Sequence, residues 1–309
     1  MQKIVPHLWF EDAKKAAKFY VSAFGSTGSP EAGGDSKITH TSILRGTPSG
    51  DCDIVSFDLR GYSFMSISSG PGAFPMNPSV SFMVNFDPSV DKDARKNLDT
   101  LWAKLSDGGE PLMPIDKYPF SERYGWIKDK HGLTWQLILT NPAGEPRPFI
   151  VPSLMFTGDN TGKADEAINL YVSVFKNAKR GMTATYPPGV APEKDAKIMF
   201  ADFMLEGQWF AAMDSGRMHK FSFNEAVSLL VCCKDQEEID YYWKLSAVPA
   251  AEQCGWLKDK YGLSWQISPI AMHEVLQGGD EKKIARAMEA FLKMKKFDLA
   301  VLKKAVEGK

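Results

Sequence analysis

The chain has 309 residues, 44% hydrophobic and 24% charged, a globular composition whose length favours two domains of about 150 residues each. Its 37 basic and 38 acidic residues are interspersed and leave a net charge of −1, which excludes the basic field that recruits nucleic acid or an acidic membrane. No apolar run approaches the roughly 20 residues that span a bilayer, and Met1-Gln-Lys-Ile-Val5 leads into a strand rather than a signal peptide, so a cytoplasmic protein is expected.

In chain order, Ile4-Val-Pro-His-Leu-Trp-Phe10 reads as a short buried strand, followed by a helix that puts Ala13, Ala16, Ala17, Tyr20 and Phe24 on one face behind Asp12 as a cap. Strands separated by Gly-bearing turns come next: Phe57 to Gly61 is one such strand and turn, and Gly33-Gly34 and Gly70-Pro-Gly72 also read as turns. Val80 to Phe86 is an apolar strand, and the helix after it buries Leu98, Leu101, Trp102 and Leu105. The segment from Gly108 to Arg123 reads as a polar and aromatic loop of a kind that lines ligand clefts. Tyr124-Gly-Trp-Ile-Lys-Asp-Lys-His-Gly-Leu-Thr-Trp-Gln-Leu137 then closes the first half as two strands joined by a solvated turn.

The whole series returns. Ile150 to Phe156 repeats the first strand, and Ala164, Ala167, Ile168, Tyr171 and Phe175 repeat the helix face, with Asp159 or Thr161 as the cap. Phe203 to Gly207, Val227 to Cys233 and the helix face of Ile239, Tyr242 and Trp243 follow. Cys254-Gly-Trp-Leu-Lys-Asp-Lys-Tyr-Gly-Leu-Ser-Trp-Gln-Ile267 completes the copy. Between Trp243 and Trp256 the second copy is eleven residues shorter than the first is between Trp102 and Trp126, so a strand or loop has been pruned there. The chain is thus a tandem duplication: a first domain over 1–145, a second, degenerate one over 146–270, and a helical tail over 271–309. In the tail, Ile284, Met288, Phe291 and Leu292 share a face, as do Leu299, Leu302 and Ala305 behind the cap Asp298, which predicts helices packed across the repeats or in a homodimer contact. The four cysteines, Cys52, Cys232, Cys233 and Cys254, have no metal-ligand spacing and are expected to be reduced and structural.

The strand Pro-x-Leu-Trp-Phe, the helix ending Phe-Tyr-x-Ser-x-Phe and the terminal Tyr-Gly-Trp-x-Lys-Asp-Lys-x-Gly-Leu-x-Trp-Gln together resemble the PhnB-like branch of the vicinal-oxygen-chelate superfamily. That branch often carries the label 3-demethylubiquinone-9 3-methyltransferase; the superfamily includes glyoxalase I and bleomycin-resistance proteins. The resemblance implies an α+β fold of four β-α-β-β-β modules whose strands curl into cups, usually around a metal or a small ligand. It also implies that modules pair either within a half or across halves. The methyltransferase label is not matched by the residues: the Gly-rich strand-to-helix turn of a typical S-adenosylmethionine enzyme is missing, and no cofactor is expected.

In the superfamily the metal is held by a His or Gln on a module's first strand and a Glu near the end of the partner's last strand. Here His7 stands at the first position, Gln136 and Gln266 take the terminal position, Ser153 answers His7 in the second half, and the carboxylate is missing. Without an anionic ligand the pull on a divalent ion is weak, so no metal is expected. His7 reads either as a hydrogen-bonded core histidine or as a base or ligand. If Trp135 packs under a helix, strand alternation turns Gln136 into a cup, where it meets His7 if modules pair within the half and Ser153 if they pair across. His40, His131, His219 and His273 read as exposed and structurally permissive. Lys128-Asp-Lys130 and Lys258-Asp-Lys260 read as solvated turns.

Three functions compete. One is a metal-free cup in the first half that binds a small aromatic or apolar molecule against Trp9, Tyr118, Phe120 and Tyr124, with Arg123 as a carboxylate clamp. A second is a glyoxalase-like isomerase, lyase or transferase in which His7 and Gln136 act on a substrate and Glu122 moves protons. The third is a scaffold with a filled cup.

Overall fold

The computed structural model describes every residue except 1, 26–33, 48, 49, 69, 71–73, 192, 216 and 218; the expected turn residues Gly33, Pro71 and Gly72 thus lie outside the described residues. The first module is β1 (Ile4–Phe10), α1 (Ala13–Phe24), β2 (Lys37–Thr47), β3 (Gly50–Leu59) and β4 (Tyr62–Ser68). The second is β5 (Val80–Phe86), α2 (Ala94–Ser106), β6 (Glu110–Tyr118), β7 (Ser121–Lys128) and β8 (Thr134–Leu139). The third is β9 (Ile150–Phe156), α3 (Ala164–Val174), β10 (Lys179–Thr185), β11 (Ile198–Leu205) and β12 (Gln208–Asp214). The fourth has a strand fewer: β13 (Val227–Cys233), α4 (Gln236–Tyr242), β14 (Trp256–Lys258) and β15 (Ser264–Pro269). The tail forms α5 (Ile270–Gln277), α6 (Glu281–Phe291) and α7 (Leu299–Glu307).

The halves do not each fold around their own cup. One sheet runs β14-β15-β13-β1-β4-β3-β2 and the other β10-β11-β12-β9-β5-β8-β7-β6, so each joins a module of the first half to a module of the second. The seams are antiparallel and matched: His7 pairs with Ser228 where β1 meets β13, and Ser153 pairs with Ser81 where β9 meets β5. Their helix-covered faces, by contrast, segregate by half. Phe24, Phe57, Phe64, Phe82 and Trp135 form one chain of ring contacts, and Tyr171, Phe175, Phe203, Phe210 and Trp265 another. These ring chains stay within a half but belong to one continuous apolar core, while each concave face is shared between halves.

Local chemistry explains the elements. Asp12 caps α1 by accepting the Lys15 N–H at 2.9 Å. Neither Asp159 nor Thr161 caps α3; the buried carboxylate of Asp214, reaching over from the end of β12, accepts from the N–H groups of Gly162, Ala164, Lys197 and Ile198 instead. The expected loop from Gly108 is mostly the strand β6, paired with β7 in an irregular register at the sheet edge, where Pro111 and Pro114 are tolerated. The two repeated turns are not simply solvated. Asp129 and Asp259 are 2% and 0% exposed, and each accepts from a tryptophan indole, Trp135 at 2.8 Å and Trp265 at 3.0 Å, and from backbone N–H groups of its own turn. Burial pushes the Asp129 carboxyl up to about 6.

The tail packs across the repeats. Ile284, Met288, Phe291 and Leu292 lie with Trp9, Leu44, Ile54, Met65 and Ile67 over the concave face of the first sheet. Asp298 caps α7 through the N–H groups of Ala300 and Val301. Among the described residues, no helix is long and apolar enough to cross a membrane.

Candidate functional site

Pairing across halves separates residues that a within-half cup would bring together. His7 and Trp9 line the cup of β1 and β15; Gln136 and Tyr124 lie in the other cup, so His7 and Gln136 share no site. Trp135 does pack under a helix, against Tyr20 and Phe24 of α1, which turns Gln136 to the concave side. There its amide is closed off. Gln136 Nε2 donates to Ser81 Oγ at 2.7 Å and to Ser153 Oγ at 3.5 Å, and Gln136 Oε1 accepts from the Tyr124 hydroxyl at 2.8 Å. Tyr118, Phe120 and Tyr124 contact one another at 5.0–5.7 Å between ring centres, and the Tyr118 hydroxyl donates to the Pro114 carbonyl. Glu122 is exposed and paired with Lys117 at 2.7 Å, and Arg123 is held by Asp99 of α2 at 2.8 Å. Neither Glu122 nor Arg123 reaches the His7 cup as proton carrier or clamp, because both belong to the edge hairpin of the other sheet.

The His7 cup has the same plan with two exchanges. Gln266 takes the place of Gln136, and its Nε2 donates to Ser228 Oγ at 2.9 Å just as Gln136 donates to Ser81. His7 replaces Ser153, and Cys254 replaces Tyr124, so a bulky phenol that fills one cup and satisfies its glutamine becomes a small thiol in the other. Space opens accordingly. A chamber of about 130 Å³ is lined by His7, His40, Trp256, Gln266 and His273, among others, and its lining contains no Asp, Glu, Lys or Arg.

Its roof is the tail. Met272, His273 and Leu276 of α5, Phe291 of α6 and Phe297 beyond it close the chamber. The chain bends to receive them: Cys254 and Gly255 adopt left-handed backbone, and their N–H groups donate to the carbonyls of Met294 and Lys295 at 2.8 and 2.7 Å. A side chain on Gly255 would run into the Phe297 ring, whereas Gly125, its counterpart, is required by contact with Trp102.

The electrostatics are those of neutral polar groups in an apolar wall. His7 is 5% exposed, and burial, with His273 nearby as a lesser cause, pushes its imidazole down to about 3; burial alone pushes His273 down to about 4. Both are neutral at pH 7. His7 Nδ1, His40 Nε2, His273 Nε2 and Trp9 Nε1 are buried without a hydrogen-bond partner. His40 and His273 are therefore not exposed and permissive, as their sequence context suggests; β2 and the tail carry them inside. His131 is half-buried against Phe10, Phe19 and Tyr20 rather than exposed.

A divalent metal does not fit this donor set. Its ligands would be neutral imidazoles and an amide without a carboxylate, and among the described residues no group of three His, Cys, Asp or Glu is placed to hold an ion. S-adenosylmethionine does not fit either, because the chamber is far below the roughly 300 Å³ at which cofactor-sized pockets begin.

The family model described as 3-demethylubiquinone-9 3-methyltransferase matches residues 2–138 and 148–268, one copy per half. A PhnB protein from Bacillus cereus is 33% identical over 45% of this chain and 100% of its own, with a TM-score of 0.37. A protein of known structure from Pseudomonas aeruginosa is 21% identical over 45% of this chain and 98% of its own, with a TM-score of 0.34. A glyoxalase I mutant from Zea mays covers 86% of this chain and 94% of its own at 12% identity and a TM-score of 0.53, a likeness of fold. No curated protein matches the chain.

Proposed function

The chain belongs to the 3-demethylubiquinone-9 3-methyltransferase family of the vicinal-oxygen-chelate superfamily, and from that premise we propose that it binds a small molecule, without a metal, in the chamber between β1 and β15. The observation that carries this reading is the chamber itself, a partly open space of about 130 Å³ beside buried ring nitrogens that no protein group satisfies. Buried polar atoms are normally paired, and leaving one unpaired costs about 1–3 kcal/mol. Such a cost persists where function maintains it. The size suits a single small ring, since an apolar cavity of about 150 Å³ accepts benzene.

The site differs from a cup formed by the first half alone. It takes His7 and Trp9 from the first module, Gln266 and Trp256 from the fourth, and its roof from the tail. The Gln136 cup is the scaffold-like member of the pair, because its amide and hydroxyls bond one another. An enzyme built on His7 with Gln136 has no geometric support.

Calorimetric titration with benzene and phenol tests the reading. Saturable binding of one molecule per chain, abolished by filling the chamber with Met65→Trp, is the expected result. Failure of both compounds to bind would reject it.

A further inference from the structure

The family match ends at residue 268, and the tail that follows is what closes the chamber. α5 leaves β15 directly and brings His273 in beside His7, which makes His273 the tail's polar contribution to an otherwise apolar roof of Met272, Leu276, Phe291 and Phe297. The tail is held there from several sides: Gln253 Nε2 donates to the Leu292 carbonyl at 2.9 Å, Gln236 Nε2 donates to the Phe297 carbonyl at 3.1 Å, and Gln236 Oε1 accepts from Leu299 N–H at 2.9 Å. A roof fixed in this way delivers an unpaired imidazole nitrogen to a place where three other unpaired ring nitrogens gather.

Two properties of this lining define what it accepts. With no ionised residue on the wall, a charged ligand would lose its hydration without gaining a counter-charge, a cost of several kcal/mol. A purely apolar ligand, on the other hand, would leave all four nitrogens unsatisfied. Trp9 Nε1 can only donate, and a neutral imidazole donates from one nitrogen and accepts at the other, so a ligand oxygen can be served in either role. We propose, building on the small-molecule reading above, that the chamber selects an uncharged ring compound bearing a hydroxyl or carbonyl oxygen, and that His273, carried in by the C-terminal helices, is a specificity-determining contact to that oxygen. The low proton affinity of the His7 and His273 imidazoles accords with this, since these two stay neutral across the physiological range.

The test uses the full chain and three probes, phenol, benzene and benzoate, titrated by calorimetry. Phenol is expected to bind about tenfold tighter than benzene, the gain of one satisfied hydrogen bond, and benzoate not to bind. His273→Leu is expected to abolish the preference for phenol over benzene, and His273→Gln, which keeps a hydrogen-bonding group, to restore most of it. Thermal melts of both variants establish that the fold survives. Equal affinity for phenol and benzene, binding of benzoate as tight as that of phenol, or an undiminished phenol preference in His273→Leu would overturn the inference while leaving the chamber as a ligand site. If His273→Leu does not fold, the wild-type ranking and His273→Gln decide. Absence of binding by all three probes would remove the small-molecule reading and this inference with it.

Discussion

Equivalent residues in the two cups play opposite parts. Gln136 is the centre of a satisfied network, so Gln136→Ala strands the partners Ser81 and Tyr124 and is predicted to cost about 1–3 kcal/mol in urea unfolding, with no effect on ligand affinity. His7 carries an orphaned nitrogen, so His7→Leu is predicted to cost less than about 1 kcal/mol and to weaken phenol binding. His7 also sets a pH dependence. The unfolded imidazole takes a proton near 6.5, the folded one only near 3, so the stability tied to the neutral form is complete above about 6.5 and is lost as pH falls from there towards 3. Between pH 7 and pH 5 this amounts to about 2 kcal/mol, present in wild type and missing in His7→Leu. Asp129 acts in the opposite sense, since its folded value is raised, and the comparison of variant with wild type cancels it. The concave placement of Gln136 was legible from strand alternation, and His7 was singled out by its place on the first strand in the family resemblance. His40 and His273 were not, because their burial comes from a tail that lies far from β2 in sequence.

Among elements, the tail and its receiving bend are the most exposed to a single change. Gly255 holds a left-handed backbone against the Phe297 ring, and Gly255→Ala is predicted to undock the tail at a cost of about 1–3 kcal/mol. Limited proteolysis reads this directly: cleavage after residue 270 should accelerate in the variant, and an unchanged pattern would mean that α5 to α7 are held elsewhere. The repeat made the modules readable, including a deletion in the fourth, although whether a strand or a loop was lost stayed open until β6 was seen. Two local readings failed for identifiable reasons. Pro111 and Pro114 look like breakers but sit on an edge strand, and the cap of α3 comes from Asp214, some fifty residues away, where no local pattern can announce it.

At the scale of the molecule, duplication has produced two cups and differentiated them, one closed by its own side chains and one kept open and roofed by a new segment. The repeated motifs are compatible with either pairing of modules, and the choice depends on which strand lies beside β1 and beside β5, a non-local fact that no window of sequence contains. An excised first half, residues 1–145, would expose the edges of β1 and β5 that now meet β13 and β9. Light scattering is predicted to find that fragment self-associated; a well-folded monomer would contradict the shared-cup architecture. The most direct measurement is a crystal structure of the intact chain soaked with phenol, which carries both the ring and the oxygen that this lining can serve. Phenol bounded by His7, Leu230 and Trp256, and none against Gln136, is the expected result; an empty His7 cup, or phenol in the Gln136 cup instead, would contradict the assignment.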